Sequence, residues 1–555
     1  MKKNTVALLA LMLAFVMLFA VGCDTLPEDV DELVVYNWAD YIYDYEDDFK
    51  EYYKNLTGRD IKVTYVTFDT NETMLTKILN GDSIVDVMCP SEYAIQKLLE
   101  NGLLRELNYF GTAEEYIDTN SLNGYVHNSE NIDSRFIEKI DEVFGSVQIT
   151  DGDGTKTVRM ADYFVPYMYG TLGVLYNKVY FEELGIYDRE TLNNANWGLL
   201  FNDDGSGNLL SDGLTGRIYM KDSIRDSYAA TVFYLLESGK LDGLTVQDTS
   251  SPNYGKPYTE LTMGQMINTV DDQLIDLCAD VLKKQKEQLY GYEVDFGKNE
   301  LIQGIAYVDL AWSGDALYAV EESWDDDYID PMLEYEEGES GGYTLGYYVP
   351  HDSGNIWFDG WVIPTTCPDE HLQAAKIFIN FLNELYVSAN NMMEIGYTSA
   401  VSAEKVRNDP ECREILAQGY LVYGEDWEIT DEDGNVLSQE DCDYASWEEF
   451  AEYFFDYVDP IDDSNWRYPF EIVPDNEYGR EINQLGVMKD FGANNNKVST
   501  MWEDVRSTGI TAWALLGWTA LALAVVVGVI ALVLWLKRRK MMYVVVKKSS
   551  TEQHK

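Results

Sequence analysis

Five short segments set an aromatic ring beside a carboxylate or a hydroxyl. They are Asn37-Trp38-Ala39-Asp40-Tyr41, Ser91-Glu92-Tyr93, Trp312-Ser313-Gly314-Asp315, Trp357-Phe358-Asp359 and Gly396-Tyr397. Rings flank an aliphatic stem, and carboxylates hold ammonium groups through charge-assisted hydrogen bonds. The set therefore suits capture of a small organic cation, with no bond made or broken. Taken singly, each ring is more readily a core residue than a ligand contact. With 41 tyrosines in 555 residues, chance pairs of ring and acid are expected. The segments lie far apart, so only a fold that gathers distant loops into one cleft joins them.

The elements that would position them are clearest near the start. Residues 33–36 read as a short apolar strand. Residues 44–56 carry a helical stripe (Tyr45, Phe49, Tyr52, Tyr53, Leu56) closed by Gly58, and 61–68 alternate as a strand. Asn71 is placed to cap a helix running to Gly81, 85–88 read as a strand, and 94–101 as a helix ended by Gly102. The order β-α-β-α-β-α predicts a mostly parallel sheet with flanking helices. In such sheets ligands sit beyond the carboxyl ends of the strands, where 38–41 and 91–93 fall. Further on, 147–158 with Asp151-Gly152-Asp153-Gly154 reads as a hairpin, 164–176 as one or two strands and 192–216 as a loop-rich insertion. Residues 274–285 and 371–385 read as helices, and 428–438 as a second hairpin inside an acidic insertion, 421–475.

The ends read as membrane tethers. Lys2 and Lys3 precede an apolar run, 6–21, and then Gly22-Cys23, the layout of a secretory signal. Phe19-Ala20-Val21-Gly22-Cys23 resembles a bacterial lipobox, which implies a signal peptide over 1–22 and a lipid on Cys23. Residues 510–536 are uncharged and long enough to span a bilayer, and Lys537-Arg538-Arg539-Lys540 place the tail, 537–555, on the cytoplasmic side. Both tethers put the bulk of the chain on the outer face of the cytoplasmic membrane. The formal net charge is −57, a field that repels nucleic acid and attracts cations without naming a ligand. Beyond Cys23 five cysteines remain with no CxxC spacing, so neither a disulfide framework nor a zinc site is supported.

Two other motifs compete. Gly338-Glu339-Ser340-Gly341-Gly342 fits the nucleophile elbow of a serine hydrolase, which needs a strand before it and a helix after. Acidic residues precede it, a strand-like stretch follows, and the chain has only four histidines. Asp431-Glu432-Asp433-Gly434-Asn435 suggests a calcium loop, but its glycine is fourth, whereas such loops need it sixth; a turn fits better. No metal site and no cofactor are expected.

From about 33 to 505 the chain resembles the extracytoplasmic spermidine/putrescine-binding proteins of polyamine ABC transporters. Eight stretches stand in family order: 36–41, 71–74, 86–93, 165–167, Asp222-Ser223-Ile224-Arg225-Asp226, Trp312-Ser313-Gly314-Asp315, Trp357-Phe358-Asp359 and Ile395-Gly396-Tyr397. The resemblance implies an α/β clamshell of two lobes, lobe 1 from 33–161 and 353–405, lobe 2 from 162–352 and 406–509. It implies that Trp38, Tyr41, Tyr93, Trp312, Trp357 and Tyr397 frame a methylene chain. Asp40, Asp226, Asp315 and Asp359 would receive the amines, with Ser91 as a neutral partner. The implied function is capture of putrescine or spermidine for delivery to ABC permease subunits, without catalysis. Ser223 stands where some members carry a carboxylate, and Met488 where some carry glutamine. Binding of another solute such as an amino acid or sugar, a sensor role, or a hydrolase using Ser340 are the alternative readings.

Overall fold

The computed structural model describes residues 30–81, 84–151, 154–335, 340–350, 352–424, 427–431, 434–456 and 485–507. The chain divides into two units, Met1–Val498 and Ser499–Lys555; the fold and the cleft belong to the first. In the second, the described residues 499–507 are helical. Among the described residues no helix is long and apolar enough to cross a membrane. The segments read as signal (1–22), membrane span (510–536) and tail (537–555) lie outside the described residues.

The first lobe begins with the expected alternation. Strands Asp60–Thr67, Val30–Asn37 and Val87–Met88 lie side by side, all parallel, in that order. Helix Glu46–Thr57 buries Phe49, Tyr53 and Leu56, spaced four and three residues apart, and stops where Gly58 turns left-handed at φ +72°. Asn71 is not the cap of its helix. Thr70 is, accepting from the Thr73 amide, and Asn71 opens the helix Asn71–Leu79. A second set of strands, Trp357–Trp361, Val165–Gly170 and Thr398–Ser399, pairs antiparallel in the same lobe. Bridges from Met88 to Val362 and from Ser91 to Asp359 join the two sets. Through that seam the ends of strands far apart in sequence come to face one another.

The second lobe is a five-stranded mixed sheet in the order Leu345–Tyr348, Leu172–Asn177, Val308–Trp312, Ile218–Lys221, Leu289–Glu293. The last three are parallel, so helices Ile224–Glu237 and Asp272–Gln285 cross over between them.

The apolar run 164–176 is two strands in different sheets, and the chain passes between lobes at Thr171. Residues 165–170 therefore pair within the first lobe, although the expected boundary was 162. There the Thr171 amide donates to Ser313 Oγ at 3.2 Å and the Leu172 amide to Asn355 Oδ1 at 3.2 Å. A second passage follows strand Leu345–Tyr348, before Trp357–Trp361. A third touches both lobes: Val487 O accepts from Asn268 at 2.8 Å, while Asp490 accepts from Lys97 at 2.9 Å.

The described residues of 406–456 also differ from expectation. The sequence places them in lobe 2, yet Val406, Cys412, Leu416, Phe450, Phe454 and Phe455 share the buried cluster of Leu33, Phe49 and Phe378. Their apolar faces dock on the first lobe because Leu385–Ile395 offers a matching one. The rest of the acidic insertion, from 457, lies outside the described residues. Cys89, Cys278, Cys367 and Cys412 are buried free thiols and Cys442 is a half-buried one.

Candidate functional site

The carboxyl end of strand Val30–Asn37 delivers Trp38 to Tyr41. The Trp38 indole donates to Cys89 O at 2.9 Å, its ring lies 4.5 Å from Phe68, and Tyr65 OH holds its carbonyl at 3.0 Å. Asp40 turns through φ +47° and is exposed. After Val87–Met88, Ser91 precedes the helix Glu92–Glu100. Asn71 Nδ2 donates to Ser91 Oγ at 2.9 Å and to Tyr93 OH at 3.0 Å. Tyr93 OH then donates to Glu72 Oε1 at 3.3 Å. These bonds tie the side chains of one wall to one another.

The seam with Trp357–Trp361 sets Asp359 opposite Ser91. Asp359 is buried, and its Oδ1 finds no hydrogen-bond partner among the described residues; nor do Tyr41 OH, Glu92 Oε1 and Trp357 Nε1. Burial pushes the Asp359 carboxyl up to about 7, and the Asp226 charge adds to the rise while Ser91 and Tyr41 temper it. Glu92 is pushed up to about 8, again chiefly by burial, although the Phe358 amide donates to its Oε2 at 3.0 Å. Buried polar atoms are normally paired, so the Asp359 and Glu92 oxygens on this cleft wall are places where a donor from a guest would fit.

Helix Leu385–Ile395 ends at Gly396, φ +71°, which swings Tyr397 into the cleft. Its ring meets Tyr41 at 5.1 Å and Trp357 at 5.6 Å, both edge to face. The same ring explains a glycine in the third segment. A Cβ on Gly314 would lie 2.4 Å from the Tyr397 ring, so no larger residue fits there without moving it.

From the second lobe, strand Val308–Trp312 runs straight into helix Ser313–Glu321, presenting Trp312 and then Asp315. The Lys221 ammonium sits 4.4 Å from the Trp312 ring. Lys298 Nζ donates to Asp315 Oδ1 at 2.7 Å. Asp226, on helix Ile224–Glu237, is buried, and burial raises its carboxyl while Ser223 and the Lys221 and Arg225 charges temper the rise.

These walls enclose a cleft of about 740 Å³ between the lobes. All eleven residues singled out from the sequence line it: Trp38, Asp40, Tyr41, Ser91, Tyr93, Asp226, Trp312, Asp315, Trp357, Asp359 and Tyr397. Sequence reasoning missed Glu72, Glu92, Asp295 and Lys298, which line it too. Glu72 and Glu92 stood inside segments already singled out; for Asp295 and Lys298 no motif gave a signal. Eleven carboxylates line the cleft, against one cationic side chain among the described residues, Lys298. Ser340 is exposed and outside the cleft, and the elbow's required helix is absent, with Gly342–Tyr343 and Leu345–Tyr348 following as strands.

Among curated relatives, the chain is 24% identical over 388 residues to the putrescine-binding periplasmic protein SpuD of Pseudomonas aeruginosa, covering 68% of this chain and 82% of that one. It is 21% identical over 416 residues to the spermidine/putrescine-binding periplasmic protein of Salmonella typhimurium, covering 74% and 90%. A solved structure of the spermidine/putrescine ABC transporter substrate-binding protein PotD from Streptococcus pneumoniae covers 86% of this chain and 98% of its own, with 22% identity and a TM-score of 0.46. The family model described as bacterial extracellular solute-binding protein matches residues 46–412. Spanning well over half of the sequence, and both walls of the cleft, that match makes the chain a member of the bacterial extracellular solute-binding proteins.

Proposed function

We propose that this solute-binding protein captures a polyamine, putrescine or spermidine, and delivers it to the permease of an ABC transporter. The observation that carries the reading is the wall where buried Asp359 Oδ1 and Glu92 Oε1, without a hydrogen-bond partner among the described residues, lie with the rings of Tyr41, Trp357 and Tyr397. An ammonium brings the donors these acceptors lack, and indoles and phenols cover the methylenes between amines. Sugars also stack on rings, but they bring no charge to set against eleven carboxylates. The named relatives, which bind putrescine or spermidine, support the same choice. No covalent step is required, so the role is binding and release.

The magnitudes agree. Hydrogen bonds to charged groups contribute roughly 1.5–3 kcal/mol each and desolvated cation–π contacts about 0.5–2. A few of each, less the cost of association, reach about −8 kcal/mol, a micromolar Kd. Calorimetric titration of the full chain in detergent with putrescine and with spermidine tests the reading. Heat and a raised melting temperature with at least one are expected; silence with both overturns it.

Trp357 separates ligand contact from core. Trp357→Ala is expected to weaken polyamine binding roughly three- to thirty-fold, the loss of one cation–π contact. Circular dichroism of the empty variant should still report a folded protein; collapse would assign Trp357 to the core alone.

The same reading extends to location. Residues 1–22 would act as a signal, Cys23 would carry lipid, and 510–536 would span the membrane, holding the cleft at the outer face of the cytoplasmic membrane.

A further inference from the structure

Among the described residues, the one cationic side chain that lines the cleft, Lys298, pairs with one of its acids. Lys298 extends from helix Gly297–Ile302 on the second lobe and donates to Asp315 Oδ1 at 2.7 Å. The pair is well screened from water, with side-chain exposures of 25% for the lysine and 7% for the aspartate. Burial is the largest single influence and lowers the Lys298 value, but the charge and hydrogen bond of Asp315, with the Asp295 charge, together more than offset it and keep the ammonium protonated. Its Nζ also lies 5.7 Å from the Tyr318 ring, and Asp295 is close enough to add its charge. An ammonium held by a carboxylate beside an aromatic ring is the arrangement that a guest amine would adopt. On the opposite wall, Asp359 and Glu92 have no such tenant and keep orphaned oxygens.

Building on the polyamine reading, we propose that Lys298 is a resident ammonium occupying the amine place at Asp315, and that it sets the cleft's preference for a short diamine over a longer triamine. The guest's amines are received at the end of the cleft where Asp226, across from Asp359, is close enough to add its charge. A longer chain, reaching on toward Asp315, meets a like charge instead of a free acid. Like charges that close in a water-poor cleft repel strongly. Removing the lysine ammonium leaves Asp315 and Asp295 open to a further amine, so the gain belongs chiefly to the ligand long enough to reach them.

The test is titration of the full chain and of Lys298→Met with putrescine and with spermidine. The expected result is a shift of the affinity ratio toward spermidine by about tenfold, cancelled in Lys298→Met/Asp315→Asn. Lys298→Arg, which keeps the charge, is expected to keep the original ratio, and melting curves of all three variants establish that they fold. A ratio within twofold of the original in Lys298→Met, or a gain that survives in the double variant, overturns the proposal. Absence of binding by any form to either ligand overturns the polyamine reading itself, a result distinct from binding with an unchanged ratio.

Discussion

Asp359→Asn lowers affinity for putrescine or spermidine at least tenfold, about 1.4 kcal/mol, when titrated near pH 8. The carboxylate is buried at the seam, opposite Ser91, and its Oδ1 has no hydrogen-bond partner among the described residues. An amide there accepts a hydrogen bond but offers no charge, and hydrogen bonds to charged groups contribute about 1.5–3 kcal/mol, so a tenfold loss is the lower bound. The same substitution has an opposite effect on the empty protein. Burial holds the folded-state value at about 7, above the ordinary 3.8 of an aspartate. Ionising Asp359 therefore destabilises the empty fold as pH rises from about 4 to 7, and asparagine removes that burden. Empty Asp359→Asn is expected to melt higher than the parent at pH 8 while binding worse. Unchanged affinity removes Asp359 from the site, and a lower melting temperature makes it structural.

Affinity falls about thirty-fold between pH 8 and pH 5.5, the second large effect. A protonated Asp359 cannot pair with an ammonium. With an empty-state value of about 7, the ionised fraction drops from most of the molecules at pH 8 to a few per cent at pH 5.5. Binding must then displace a proton, which links affinity to pH in that direction. Glu92, pushed up to about 8 in the same wall, steepens the profile if the guest ionises it as well. Titration near pH 7 in buffers of different ionisation enthalpy should reveal proton release on binding. A flat profile across this range would sink the assignment of buried carboxylates as amine receivers.

The first hundred residues were legible because each element carries a clean period, as with Phe49, Tyr53 and Leu56 on one helix face. Strand ends were less so. Asp31 and Glu32 pair through their backbone with Ile61 and Lys62, a bond that side-chain polarity conceals. The passage at Thr171 was invisible because residues 165–170 and 172–177 are buried throughout, so one apolar run hid two sheets. Helices Pro410–Gly419 and Trp447–Asp456 misled for the reverse reason: acidic residues on their outer faces masked Leu416, Phe450 and Phe454 beneath. The eleven cleft residues were found through family resemblance, which carries order along the chain. Glu92 was adjacent to two of them yet reads as an ordinary helix-start acid, and Lys298 follows Gly297 with nothing to distinguish it from a surface lysine.

The excess of acid in the cleft has a mechanical corollary. Glu72 and Asp359 stand on one jaw and Asp222, Asp226 and Asp315 on the other, so above about pH 7, where Asp359 ionises, bringing the jaws together without a guest would crowd like charges. Such repulsion would favour the open arrangement of the two lobes. A multiply charged guest acts as mortar, cancelling the repulsion it sits between, whereas an uncharged molecule of equal size fills the gap and leaves the jaws pushing apart. Latching, and with it the shape a transporter would read, becomes conditional on the charge of the cargo and not merely on its bulk.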